Sequence, residues 1–353
     1  MTISIHAKII GLVLAAVLSS LAVGCGVKEF DDPSAAVGTR TDEIRMVSNS
    51  DQPTPITPLN SPIRENEASF SHDGHTVYFQ RGPLETSDIY VSHLSGNFED
   101  MKWSEPEPLP APINTPFSEV EPKISLDGKR LYFQSNRPGG KGGLDIWVSE
   151  LGEDGLWQKP VSLPFPINTE FNDHCLYFDD PINEDSAYLA SNRPGTLGRN
   201  DLWYTRKVNG VWTTPVNLGP NINSPGNEHM AMLDPLDSNR LVVTSNRLGT
   251  LGGEDQWISL RQPDSSCASA PCWGPLINLG APWNSPSDDR CGDWTMKRGS
   301  GQMNRSTNAR GLGSELYFVF ASNRPDPPTN PTGRGNLDHY FVRWETVLES
   351  LGF

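Results

Sequence analysis

Short apolar stretches separated by polar turns recur along most of the chain. Segments such as "LYFQS" and "LVVTS" are rich in aromatic and β-branched residues and are bounded by Gly, Pro, Asn and Asp. Several are apolar on both faces, which is the pattern of a sheet covered on both sides. The chain also contains 32 Gly and 31 Pro, a composition that favours turns over long helices. The pattern therefore predicts an all-β fold of many short strands.

The segments fall into five repeats. An Asn followed by Ser or Thr recurs about every 54 to 61 residues, at Asn60, Asn114, Asn168, Asn223 and Asn284. An acid follows each one: Glu67, Glu121, Asp173, Glu228 and Asp289. An apolar strand then ends in Arg81, Arg137, Arg193, Arg247 or Arg324. A Gly/Pro loop leads to an acid that opens the next strand: Asp88, Asp145, Asp201, Asp255 and Asp338. Four strands with this period are typical of a propeller blade.

The ends of the chain complement each other. The fifth repeat ends at "DHYFVRW" without an outer strand, whereas "TPITPL" at residues 54–59 matches the missing segment. Pairing the two would close the ring and remove an exposed sheet edge. The sequence predicts a five-bladed propeller of four-stranded antiparallel blades over residues 54–345, followed by a C-terminal tail at 346–353.

The second repeat identifies a possible family. Its sequence, "SLDGKRLYFQSNRPGGKGGLDIWVS", resembles the WD40-like repeat of TolB-type propellers, called PD40. The resemblance extends over all five repeats. It implies a propeller of the bacterial envelope that acts as a binding or scaffold module for a protein or a glycan.

The repeated charged residues point first to structure. Each inner acid, the Arg and the strand-opening Asp of one blade belong to connections on one face of the predicted disc. An Arg offers a fork of donors that suits carboxylates, and a buried pair is costly to break. Because an active site is one place and these residues recur five times, we expect the five Arg and the five strand-opening Asp to stabilise the blades.

The five inner acids allow two further interpretations, since they should surround the central channel. A ring of carboxylates is a possible cation site, most naturally for Ca²⁺. It also resembles five-bladed glycoside hydrolases, in which an acid and a base or nucleophile are held apart. If every acid pairs with the Arg of its own blade, none remains for catalysis.

Residues that differ between repeats are additional candidates for a site. His174 and His229 follow the acids of blades three and four, and Arg290 takes that place in blade five. The two histidines beside Asp173 and Glu228 suit a transition metal, an acid–base pair or simple hydrogen bonds to loops. The chain has no nucleophile elbow, phosphate loop or His-Glu zinc motif. A binding module, a glycan hydrolase and a metal-binding module thus stay open.

The N-terminus predicts export. Lys8 precedes an apolar run from Ile9 to Val23, and residues 1–24 have the form of a signal peptide. The segment before Cys25 resembles the lipoprotein cleavage box, so we expect lipidation of Cys25. Residues 25–53 lack apolar periodicity and predict a flexible tether. The expected product is a monomeric outer-membrane lipoprotein facing the periplasm or the cell surface.

The net charge narrows the class of partner. The net charge of −15 disfavours nucleic acid and contact with anionic lipid beyond the lipid anchor.

An exported protein favours a disulfide between Cys267 and Cys272, whereas Cys175 and Cys291 fall in non-adjacent blades and should be buried free thiols. Segments 297–314 and 325–336 interrupt blade five and are candidates for partner contact or for overhanging the channel.

Overall fold

The computed structural model describes residues 52–353, apart from 97, 101, 264–269, 297–315 and 326–336. The signal peptide, Cys25, nearly all of the tether, Cys267 and the two inserted segments of blade five, except residue 325, lie outside the described residues. Cys272 is buried and disulfide-bonded. Within the described ranges, no helix has the length and apolar character needed to cross a membrane.

The first three blades are antiparallel sheets built in chain order from the axis outward. Blade one comprises β2 (Glu65–Phe70), β3 (Thr76–Arg81), β4 (Asp88–His93) and β5 (Glu107–Pro108). Blade two comprises β6 (Glu119–Ile124), β7 (Arg130–Ser135), β8 (Asp145–Glu150) and β9 (Val161–Ser162). Blade three comprises β10 (Asp173–Phe178), β11 (Ser186–Ser191), β12 (Asp201–Val208) and β14 (Val216–Asn217), with β13 (Val211–Trp212) paired to the end of β12.

The last two blades complete the predicted five-bladed ring. Blade four comprises β15 (Glu228–Asp234), β16 (Asp237–Ser245), β17 (Asp255–Leu260) and β18 (Ile277–Asn278). Blade five comprises β19 (Asp289–Met296), β20 (Leu316–Ser322), β21 (Asp338–Arg343) and the N-terminal β1 (Thr54–Pro55). Trp103, Trp157 and Trp273 form only isolated bridges at the edge of their blades.

The N-terminal strand closes the ring, as predicted. Thr54 pairs with Phe341 and Pro55 with Tyr340. A 3₁₀ turn at Thr57–Leu59 then leads to Asn60, whose side chain bonds both backbone groups of His339, at 3.1 and 2.8 Å. The other four repeat asparagines make the same two-way contact, with Ile89, Ile146, Leu202 and Gln256. Each therefore fixes the loop that leaves a blade to that blade's third strand.

The apolar core lies between neighbouring blades rather than in one central mass. The cluster between blades five and one contains Phe79, Phe98, Tyr317 and Phe341, all of them buried. Comparable clusters lie between blades one and two, between two and three, and through blades three to five. Because each sheet is covered on both sides, its middle strands must be apolar on both faces, as the sequence pattern indicated.

A short helix follows the last strand. Helix α1 (Trp344–Ser350) buries Trp344, Val347 and Leu348 against the cluster of blades three to five. The boundary between propeller and tail that the sequence suggested, at residue 345, falls inside this helix. The C-terminal segment is therefore packed on the ring through its first turns.

His339 gives the ring junction a pH dependence. The side chain is fully buried, its ring meets the edge of Phe79 at 5.3 Å, and burial and the charge of Arg81 lower its pKa from 6.5 to about 3. The unfolded chain binds this proton more readily, so the contribution to stability is lost as the pH falls below about 6.5. In His339→Phe, the free energy of unfolding should fall less steeply between pH 6 and 4 than in the wild type, by roughly 1 kcal/mol per pH unit. Urea unfolding at several pH values measures both slopes, and parallel curves would contradict the assignment.

Candidate functional site

The repeated Arg stabilises its own blade through two kinds of contact. Its guanidinium lies over the aromatic ring of the third strand, with centroid distances from 4.9 to 5.7 Å in the pairs Arg81–Tyr90, Arg137–Trp147, Arg193–Trp203, Arg247–Trp257 and Arg324–Tyr340. It also donates to carbonyl oxygens of the loop that enters the blade, for example Pro166 and Ile167 for Arg193. The side chain thus ties two connections to one sheet.

The acid partners of the Arg correct the sequence alignment in two blades. Arg193 contacts Asp173 and Arg324 contacts Asp289, as expected, both at 2.5 Å. Arg81 and Arg137, however, contact Glu65 and Glu119, each at 2.9 Å, and not Glu67 or Glu121. Assigning Glu67 and Glu121 to these pairs was wrong by two residues. The first residue of each innermost strand lies beside the Arg, and a constant spacing of five residues from the repeat Asn would have identified it.

The Ser and Asn of the "SNR" motif belong to the same arrangement. Ser135, Ser191, Ser245 and Ser322 donate to the acid of their blade at 2.6 to 2.8 Å. The Asn that follows each Ser accepts a backbone N–H from the loop that enters the blade. In blade four, Glu228 accepts hydrogen bonds from Ser224 and Ser245. Burial raises the pKa of Glu228, and the charge of Arg247 acts in the opposite direction with a smaller effect.

The strand-opening Asp residues do not meet the Arg. Asp145, Asp201 and Asp255 accept hydrogen bonds from backbone N–H groups of their own Gly-rich loop. Asp201 and Asp255 also accept from Asn217 and Asn278 of the outer strand, at 2.7 and 2.6 Å. Asp88 and Asp338 open the equivalent strands of blades one and five. The acid, the Arg and the strand-opening Asp of one blade therefore do not form the one common contact that was expected. The Arg pairs with the acid, and the Asp caps its own loop.

A β-bulge turns the next side chains towards the axis. The innermost strand of every blade shifts register near its start. The bulged residue has a positive φ in four blades: 36° at Glu67, 53° at Glu121, 50° at Cys175 and 47° at Cys291. Such a conformation is costly for residues other than Gly, and bulges redirect side chains near functional sites. The same distortion at four equivalent positions therefore marks the channel as a candidate site.

These side chains form an axis cluster with two parts. In the first, Cys291 Sγ donates to Glu67 Oε1 at 2.7 Å and lies 3.1 Å from His229 Nε2. In the second, Cys175 donates to Glu121 Oε2 through its backbone N–H at 2.9 Å and through Sγ at 3.0 Å. His174 Nδ1 lies 3.6 Å from the same carboxylate oxygen, and Cys175 Sγ lies 3.9 Å from Glu67 Oε1.

Charges from the neighbouring loops complete the cluster. Glu254 Oε1 lies 3.4 Å from His229 Nδ1, and Glu254 Oε2 lies 2.9 Å from Arg290 Nε. Burial acts to raise the pKa of Glu254, but His229 and Arg290 lower it to about 2. The sequence analysis missed Glu254, although a signal exists: Leu144 and Asn200 occupy the corresponding place, before the strand-opening Asp, in blades two and three.

The two channel carboxylates have opposite pKa shifts. Burial and the charge of Glu121 raise the pKa of Glu67 well above its usual range. Burial also acts on Glu121, but the charge of His174 and hydrogen bonds from His174 and Cys175 lower its pKa to about 2. Burial raises the pKa of both thiols. The surroundings of the axis therefore shift the pKa values of its two carboxyl groups in opposite directions.

The predicted site residues are thus divided between two environments. Asp173, Glu228 and Asp289 belong to the blade-stabilising contacts, whereas Glu67, Glu121, His174, His229 and Arg290 meet at the axis. Cys175 and Cys291 are buried free thiols, as predicted, although their side chains converge on Glu67 from non-adjacent blades.

The other ends of the innermost strands form a channel-mouth cleft. It encloses about 740 Å³, including solvent at its open side. All five blades contribute to its lining, which includes Phe70, His72, Lys123, Tyr177, Phe178, Glu184, Pro235, Asp293, Trp294 and Thr295. Lys123 Nζ lies 2.6 Å from Asp293 Oδ1 and 5.0 Å from the centre of the Tyr177 ring. Four of the fifteen lining residues are aromatic, and the lining contains one internal ion pair.

Four polar atoms of this lining are buried without a hydrogen-bond partner among the described residues: His72 Nδ1, Glu184 Oε1, Trp294 Nε1 and Thr295 Oγ1. They include both donors and acceptors. An unsatisfied buried polar group is costly. These four are among twenty such side-chain atoms in the described part of the chain, and they border the same cleft.

Comparisons with known proteins support the fold. No protein-family model and no curated protein matches the chain. An α-L-arabinofuranosidase from Lactobacillus brevis is 13% identical, with a TM-score of 0.51 over 82% of this chain and 92% of that one. An endo-arabinase from Bacteroides thetaiotaomicron is 12% identical, with a TM-score of 0.51 over 83% and 96%. TolB from Acinetobacter baumannii is 12% identical, with a TM-score of 0.40 over 78% and 54%. Similarity at these levels concerns the fold alone, and membership of the PD40 family stays a prediction.

Proposed function

We propose that this propeller is a glycan-binding module of the cell envelope and that its ligand occupies the channel-mouth cleft. The observation that carries the proposal is the set of four unpartnered buried polar atoms beside aromatic walls. Export and anchoring through a lipid on Cys25 complete the proposal and rest on the sequence.

A sugar matches this lining better than a protein surface does. Each sugar hydroxyl both donates and accepts, so a sugar suits a lining that contains both unpartnered donors and unpartnered acceptors. Aromatic side chains supply apolar contact for the faces of a sugar ring. A stable protein partner would need to bury about 800 Å² on each side, which is more surface than the wall of this cleft provides. The net charge of −15 favours an uncharged glycan over an acidic one.

A glycan hydrolase is the alternative, and one observation favours it. Glu67 and Glu121 are not paired with the Arg of their blade, and their pKa values are shifted in opposite directions, as an acid and a base require. Against it, Glu67 is buried and accepts from Cys291, while Cys175 and His174 contact Glu121. Because both carboxylates are already engaged by neighbouring side chains, we favour binding without cleavage.

The binding proposal predicts an effect of Trp294→Phe, which keeps the aromatic ring and removes the N–H. Neutral arabinan-, xylan- and glucan-derived oligosaccharides would be titrated into the exported protein by calorimetry. For an oligosaccharide that binds, losing one buried hydrogen bond should raise the Kd about tenfold. Trp212→Phe, on β13 at the end of blade three away from the cleft lining, is the matched control and should leave the Kd unchanged.

Three results would contradict the proposal. These are no binding of any neutral oligosaccharide, equal affinity for both Trp variants, and binding that does not change when Thr295 is replaced by Val. Product analysis of the same mixtures separates the alternative: cleavage that is abolished in Glu67→Gln would establish a hydrolase instead.

A further inference from the structure

We propose that the propeller axis binds one divalent transition-metal ion, of the Zn²⁺ type, through Glu67, His229 and Cys291. The proposal does not depend on glycan binding, because the three residues lie at the start of the innermost strands and the cleft lies at their end. The metal site would stabilise the closed ring, because its ligands come from blades one, four and five.

The three donor atoms already converge. Glu67 Oε1, His229 Nε2 and Cys291 Sγ all lie within 4.8 Å of one another. Cys291 Sγ is 2.7 Å from the carboxylate oxygen and 3.1 Å from the imidazole nitrogen. Ligands of a tetrahedral zinc ion with normal bond lengths are about 3.3 to 3.7 Å apart. Each donor atom therefore needs to move by less than about 1 Å to surround an ion.

The chemistry of the donors selects the type of metal. Thiolate and imidazole are ligands of zinc and other transition metals, whereas Ca²⁺ requires a shell of oxygen atoms. One carboxylate and one thiolate also balance the charge of a divalent ion. The Ca²⁺ site considered from the sequence required a ring of free acids, and three of its five members are engaged in the blades.

A carboxylate lies beside the second ring nitrogen of the histidine. The other ring nitrogen, His229 Nδ1, lies 3.4 Å from Glu254 Oε1. Glu254 is fixed in turn by Arg290 at 2.9 Å and by the side chain of Asn227 at 3.3 Å. A carboxylate on the second nitrogen of a histidine is the arrangement that directs the first nitrogen to a metal. Glu254 lies on the Nδ1 side of the His229 ring at 3.4 Å, without a formed hydrogen bond, and Nε2 faces Cys291.

The backbone directs Glu67 and Cys291 to the axis, as it also does Glu121 and Cys175. Glu67 and Cys291 both have a positive φ, 36° and 47°, in bulges that turn their side chains to the axis. A conformation of this kind persists where the surroundings enforce it and often marks a ligand site.

The related group Glu121, His174 and Cys175 is less suited to a metal. The Nδ1 atom of His174 faces Glu121, a member of the same group, at 3.6 Å. Among the described residues, it does not face a carboxylate from outside the group. The same Glu121 oxygen also accepts the backbone N–H and the thiol of Cys175. This group is a self-contained hydrogen-bonded set, so we assign the ion to the first group alone.

Cobalt provides the test, because a Co²⁺–thiolate bond gives a characteristic near-ultraviolet absorption band. The full-length exported protein would be treated with chelator, kept under argon to protect the thiols, and titrated with Co²⁺ and then with Zn²⁺. We expect one Co²⁺ per chain, a thiolate band that Zn²⁺ removes, and a higher Tm with Zn²⁺. Cys291→Ser should abolish the band, and Cys175→Ser should keep it.

A substitution in the outer shell guards against misfolding of the ligand variants. Glu254→Gln leaves all three ligands in place and should weaken Co²⁺ binding about 10- to 100-fold. His93→Ala, on an exposed strand position of blade one, is the control and should bind as the wild type does. The proposal fails if the wild type gives no thiolate band, if Cys291→Ser keeps the band, or if Cys175→Ser alone loses it.

Discussion

Replacing Arg193 by Ala should destabilise the propeller by about 3 to 5 kcal/mol, the cost of breaking a buried ion pair. The side chain is 9% exposed and contacts Asp173, which is fully buried, together with Ser191 and two backbone carbonyl groups. Removing it leaves the Asp173 charge without its cation and two carbonyl oxygens without a donor. Urea unfolding of the full-length protein, followed by tryptophan fluorescence, measures the loss.

Two matched variants show whether the loss of stability depends on the position of Arg193 or follows from the removal of any arginine. Arg206→Ala removes an exposed arginine from the same blade and should change the free energy of unfolding by less than about 0.5 kcal/mol. Arg247→Ala removes the equivalent arginine of blade four, whose contacts with Asn221 and Ile222 are longer, 3.4 and 3.3 Å. Its effect should be intermediate. Equal losses for Arg193 and Arg206 would refute a structural role of the repeated arginine.

Replacing Trp344 by Ala should cost about 3 to 5 kcal/mol, as expected for a large buried aromatic side chain. Trp344 is fully buried, and its ring packs 4.8 Å from Trp294 and 5.5 Å from Phe318. Its Nε1 donates to Asp234 at 2.9 Å, and burial raises the pKa of that carboxyl group. The substitution leaves a cavity and deprives a buried carboxylate of a donor, and the loss is again read from urea unfolding.

A smaller substitution separates these two contributions. Trp344→Phe keeps most of the volume and removes the N–H, so it should cost about 1 to 2 kcal/mol. Phe353→Ala changes an aromatic residue that is 39% exposed beyond the same helix, and its effect should stay below about 1 kcal/mol. If Trp344→Ala proved no more destabilising than Phe353→Ala, helix α1 would not contribute to the stability of the ring.

The misplacement of Glu67 and Glu121 shows where sequence reasoning reaches its limit. An acid two residues away in a strand points to the same face, so either acid of "ENE" or "EVE" satisfies the pattern. The bulge breaks that equivalence, because it leaves Glu65 and Glu119 beside the Arg and sends Glu67 and Glu121 to the axis. A bulge in these strands has no clear sequence signal when its residue is Glu or Cys instead of Gly.

The sequence by itself determined the class of fold, the five repeats and the closure by the N-terminal strand. These features follow from local rules, since strand periodicity, turn residues and a repeated motif are properties of neighbouring residues. The tertiary structure alone decided which side chains meet at the axis and that unpartnered polar atoms lie around the opposite mouth. Those contacts join residues from different blades, so they exist only once the ring has closed, and no spacing along the chain encodes them.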